Sequence, residues 1–109
     1  MIYLDKRKLL LLNLILGFFT AADISKLQIP EGFEIQEFVT QIDDARQMVE
    51  GNNYIFVGTK SAGNVYAIDK NNSNKVSVIL SELDMPTGVA LKNGDLYIAE
   101  TDTIHLVKN

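Results

Sequence analysis

The stretch Met48-Val49-Glu50-Gly51-Asn52-Asn53-Tyr54-Ile55-Phe56-Val57-Gly58-Thr59 decides the reading of this chain. Val89-Ala90-Leu91-Lys92-Asn93-Gly94-Asp95-Leu96-Tyr97-Ile98-Ala99-Glu100 follows the same pattern 41 residues later. Upstream, Ile42-Asp43 falls on Leu83-Asp84, and no gap is needed from Ile42 to Thr59. A two-residue deletion then brings Val65-Tyr66-Ala67-Ile68 onto Ile104-His105-Leu106-Val107. Any two apolar hairpins look alike, but this match keeps register through a turn, an acidic position and an aromatic position.

Each unit reads as strand and turn. Tyr54 to Thr59 and Val65 to Ile68 are strands rich in β-branched and aromatic residues, with Ser61-Ala62-Gly63-Asn64 between them as a hairpin turn. Val76 to Leu80 is a further strand. Val89-Ala90-Leu91 and Leu96-Tyr97-Ile98-Ala99 flank Lys92-Asn93-Gly94-Asp95, where Asn-Gly is a strong hairpin signal. Ile104 to Val107 is the last strand. Upstream, Pro30-Glu31-Gly32 is a turn, and Phe33 to Val39 is expected to be a strand despite imperfect alternation. No amphipathic helix is expected after residue 22. The fold class is therefore all-β, and a period of about 40–45 residues built of strand and turn is that of a β-propeller blade. Repeat units are expected at residues 42–82 and 83–109, about one and a half to two blades of antiparallel strands.

Composition bounds the rest. The chain has 109 residues, 47% apolar, 22% charged, with no Cys, so disulfides cannot brace it. Lys6-Arg7-Lys8 precedes the apolar run Leu9 to Phe19, broken only by Asn13 and Gly17, and Thr20-Ala21-Ala22 follows. That is the three-part pattern of a secretory signal peptide over residues 1–22, a signal helix, with an uncleaved anchor as the other reading. The run falls short of the ~20 residues that a spanning helix needs. Residues 23–109 would then be periplasmic or secreted, with no membrane span after cleavage. Net charge is −4, and the first eight residues carry +2 of the balance, so the remainder is acidic. Without a basic stripe, nucleic acid is not an expected partner. Blades hide their apolar faces on neighbours, and a propeller has typically four to eight. The expectation is therefore an N-terminal piece whose partners are the missing blades.

Ile29-Pro30-Glu31-Gly32-Phe33-Glu34-Ile35, Asp44-Ala45-Arg46-Gln47-Met48, Gly63-Asn64-Val65-Tyr66-Ala67, Met85-Pro86-Thr87-Gly88-Val89-Ala90 and Leu96-Tyr97-Ile98-Ala99-Glu100 occur in one order along the chain. Together they resemble the glucose/sorbosone dehydrogenase family of six-bladed propellers, from Leu27 to the C-terminus. The resemblance implies an exported oxidoreductase in which pyrroloquinoline quinone (PQQ), with calcium polarising it, oxidises a sugar or sugar-derived aldehyde. A His at the mouth of the central channel would take the hydroxyl proton, a task that suits a near-neutral pKa. In the family that His lies in a segment beyond the position of Asn109, as do the basic residues that grip the quinone. No catalytic residue and no cofactor are therefore expected for these 109 residues alone.

Two side chains are candidates for facing the channel and a cofactor there. Arg46, the one Arg after the signal, sits on the innermost strand, where its fork could hold a carboxylate; a salt bridge to Asp43, Asp44 or Glu50 is the preferred reading. Glu100 follows an apolar strand, and a solvated strand end is the preferred reading there. His105 falls inside a strand and reads as structural. Asp69-Lys70-Asn71-Asn72-Ser73-Asn74 carries oxygen ligands but only one carboxylate and no closing Glu, so it reads as a polar turn and no metal site is expected. Asn71-Asn72-Ser73 is formally a glycosylation sequon. Gly32, Gly63, Gly88 and Gly94 read as turn or close-packing glycines. Two rivals to the dehydrogenase remain: an NHL-type or lactonase-like binding propeller, and a small β-protein that assembles from several copies.

Overall fold

A computed structural model describes residues 23–109; the signal-peptide reading of residues 1–22 lies outside the described residues. The chain divides into two compact units after Thr40. In the first, Ile24–Lys26 forms one turn of 3-10 helix capped by Asp23, whose carboxylate accepts the Ser25 N–H at 3.1 Å. No helix among the described residues is long and apolar enough to cross a membrane.

Phe33 to Val39 is not a strand. The expectation fails because the segment has no single apolar face: Phe33 and Ile35 share theirs with Glu37, while Phe38 points the other way. A strand buries one face only if its period-2 pattern is consistent. Phe33 is 71% exposed, and Phe38 is exposed too.

The second unit is all-β, with two antiparallel sheets. The first runs β1 (Ala45–Glu50), β2 (Tyr54–Thr59), β3 (Val65–Asp69) and β4 (Lys75–Leu80), in that order. The second runs β5 (Gly88–Lys92), β6 (Asp95–Ala99) and β7 (Ile104–Val107). The register repeats with the sequence. Met48 lies opposite Val57 as Val89 lies opposite Ile98; Val49 opposite Phe56 as Ala90 opposite Tyr97. Val57 lies opposite Tyr66 as Ile98 lies opposite His105, and Phe56 opposite Ala67 as Tyr97 opposite Leu106. Even a backbone irregularity recurs: Asp44 (φ 56°) and Met85 (φ 50°), 41 positions apart, both turn through the left-handed region just before the inner strand. The β5–β6 turn is the two-residue loop that Asn-Gly favours, with Asn93 at φ 54° and Gly94 at φ 85°.

The sheets stack through one face each. Val65 of β3 is buried with Val89, Leu96 and Ile98 of the second sheet, and Val49, Phe56, Leu80, Leu83 and Leu91 close around them. Burying each such side chain contributes about 1.5–3 kcal/mol. β1 and β2 lie against β5, so the inner strands of the two sheets are neighbours. The other face of the second sheet carries Ala90, Tyr97, Ala99, Ile104 and Leu106, of which Ile104 is 72% exposed.

One buried polar residue sits at the end of β2. Thr59 is fully buried, and its hydroxyl donates to the Asn64 carbonyl (2.7 Å) while accepting the Asn64 N–H (3.0 Å), closing the β2–β3 loop. Thr59→Val keeps the shape but strands both backbone groups of Asn64. A loss of about 1–3 kcal/mol is expected, read as a lower urea midpoint with unchanged slope.

Candidate functional site

The side chains with acid–base chemistry gather where β6 hands over to β7. The loop Thr101–Thr103 is closed by the Glu100 N–H donating to the Thr103 carbonyl at 3.0 Å. That tight return places Glu100 and His105 side by side, with Glu100 Oε1 2.6 Å from His105 Nε2. The second carboxylate oxygen accepts the Asp84 N–H at 2.7 Å, and Thr101 returns its own N–H to the Asp84 carbonyl at 3.0 Å. Segment 84–85, which leads into the inner strand of the sheet, is thus tied to the hairpin that carries the dyad.

Glu100 is therefore not a solvated strand end: its side chain is only 13% exposed, against 37% for His105. The hydrogen bond from His105 and the one from the Asp84 N–H hold its carboxyl below the usual carboxylate range, against the opposing effect of desolvation. A carboxylate on one ring nitrogen fixes the imidazole's orientation and favours its protonated form. The pair can orient a ring and hold a proton. Position by position it replaces Thr59 and Tyr66 of the first sheet, where hydroxyls do the tying.

Arg46 takes its preferred role. Its guanidinium lies 2.6 Å from Asp44 Oδ1 and also donates to the Ala45 carbonyl at 3.0 Å. Asp44 Oδ2 in turn accepts the N–H groups of Ser61 (2.5 Å) and Ala62 (3.3 Å). Desolvation is the largest single influence on the Asp44 carboxyl and raises its pKa, yet these two N–H groups with the charges of Arg46 and Lys60 outweigh it and leave the pKa lowered. No hydrogen bond or ion pair joins Arg46 to Glu100 among the described residues. The two candidates lie in separate clusters.

The segment Asp69 to Asn74 is a polar turn: the Asp69 carboxylate accepts the Asn71 N–H at 2.9 Å, and the Lys75 N–H closes onto Asn72. Among the described residues no three His, Asp or Glu side chains are grouped to hold a metal ion. With Arg46 committed to Asp44 and Glu100 to His105, the residues present do not fit a quinone–calcium site. No step is derived through either group.

Because both carboxyls titrate lower in the folded chain than in the unfolded one, their contribution is full above the ordinary range near pH 4 and disappears as pH falls through the folded values. Glu100→Gln is expected to lower the urea midpoint at pH 7. The gap from the unsubstituted chain should narrow toward pH 3, where Glu100 is protonated as well. A gap that does not change with pH would show that the carboxylate's charge has no part in holding the hairpin.

The chain matches no known family model and no solved structure. It is similar to an uncharacterized protein of Borreliella burgdorferi, 32% identical over 89 residues that cover 78% of this chain and 22% of that protein. The chain thus spans about a fifth of the length of this curated relative.

Proposed function

We propose that these residues are the N-terminal structural portion of an exported β-propeller of the glucose/sorbosone dehydrogenase type. They supply the first stacked blades of the fold, while the reacting groups, the quinone with its calcium, and the sugar belong to the rest of a longer protein. The observation that carries the reading is the relation between repeat and exposure. Val49, Phe56, Gly58, Val65 and Ala67 form the face of the first sheet that the second sheet covers; their counterparts Ala90, Tyr97, Ala99, Ile104 and Leu106 form the exposed face of the second. A third sheet stacked by the same rule would cover it. The length of the relative leaves room for further sheets.

Two measurements test the reading. Dye-linked sugar oxidation by this chain with added quinone and calcium should be absent; activity would overturn the assignment of the reacting groups elsewhere. Sedimentation velocity should show concentration-dependent, open-ended association through the exposed face, abolished by Ile104→Lys with Leu106→Lys. A discrete closed multimer would instead make the chain a self-assembling β-protein.

A further inference from the structure

The two sheets are copies in register but not in strand number. In the first, β3 pairs with β2 on one side and β4 on the other; in the second, its counterpart β7 pairs with β6 alone, and its outer edge faces no described strand. Beside that edge lies a cleft of about 500 Å³. Phe56, Ala67, Ser77 and Ile79 of the first sheet form one wall, and Leu96 and Val107 of the second form the other. The cleft occupies the place that a fourth strand of the second sheet would take. An unpaired edge next to an apolar trough is the arrangement that accepts an added strand, with main-chain bonds giving affinity and alternate side chains giving selectivity.

β4 shows what such a strand must carry. Val76 lies opposite Ile68 and Val78 opposite Tyr66, on the face of the first sheet that corresponds to the core face of the second. Ile68 and Tyr66 correspond to Val107 and His105. Two β-branched apolar side chains at alternate positions would therefore enter the cleft and rest on Val107 on their own sheet and on Ala67 and Ile79 opposite. The walls are mostly apolar there, so a charged side chain at either position would be desolvated without a partner.

From this geometry we infer that the β7 edge and its cleft are an acceptor site for one extended strand of β4's chemistry, contributed by polypeptide outside these 109 residues. The inference rests on the same repeat as the propeller reading but not on the dehydrogenase assignment. It concerns the edge of the sheet, whereas the sedimentation test reads the exposed face.

The test uses the full chain and a labelled synthetic peptide with the sequence of residues 74–81. Saturable one-to-one binding is expected by fluorescence anisotropy, with amide and methyl shift changes at β7, Phe56, Ala67 and Leu96. A peptide with both valines replaced by Lys should bind at least tenfold more weakly. Absence of saturable binding, equal binding of the two peptides, or shift changes at the outer edge of β4 instead of β7 would overturn the inference. So would the same β7 and cleft signals moving on dilution of the chain alone, which would make a second copy the occupant. None of these outcomes alters the sedimentation result by which the propeller reading is judged.

Discussion

Gly58→Ala should lower the stability of the folded unit by about 3 kcal/mol, the upper end of the range for forcing extra volume into a packed site. A Cβ built at Gly58 would lie 2.6 Å from the Thr87 carbonyl oxygen and would also collide with that of Pro86. Both obstacles are backbone, in the segment that feeds β5, so relief requires moving one sheet relative to the other. In most strand positions Ala would be favoured over Gly, by about 0.4–1 kcal/mol through a less flexible unfolded chain. Here the clash outweighs that gain. Domains of this size have net stabilities of roughly 0.05–0.15 kcal/mol per residue, so the substitution should remove a large fraction of the total. Urea unfolding followed by circular dichroism reads it directly, and a midpoint unchanged or raised would show that the sheets are not in this close contact.

Ile98→Ala should cost about 2–5 kcal/mol, because it empties a site at the centre of the stack. Ile98 is completely buried among Val65, Val89 and Leu96, and Val65 belongs to the opposite sheet. The cavity left behind is walled by two sheets and cannot collapse without pulling them together. Ile104→Ala is the matched control on the adjacent strand and the opposite face, where exposure of 72% leaves little to lose. At protein concentrations too low for association its effect should stay within about 0.5 kcal/mol. Equal effects at the two positions would contradict the assignment of buried and open faces.

The strands were legible because their side chains follow one rule. Ile55, Val57, Val65, Ile68, Leu96 and Ile98 alternate with smaller or polar residues in short runs bounded by Gly and Asn, and Asn93-Gly94 has the backbone its turn type demands. The 41-residue shift was equally plain, since it survives in pairing and in a recurring left-handed residue. Phe33 to Val39 was misread because strand-forming composition is no substitute for a consistent face. Gly58 went unremarked inside a strand run, although an isolated strand glycine is a signal of close backbone approach. The Glu100–His105 pair was hidden for another reason. Its partners meet only because the loop Thr101–Thr103 closes tightly, and sequence spacing alone does not say which face each side chain takes. Arg46 was easier, because its acid was two residues away.

Methyl contacts between the halves of the stack test the account most directly. In a methyl-labelled sample of the full chain, nuclear Overhauser effects should connect Val65 to both Val89 and Ile98 across the sheet interface. Intact hairpin pairing in each sheet with Val65 contacting only side chains of its own sheet would contradict it.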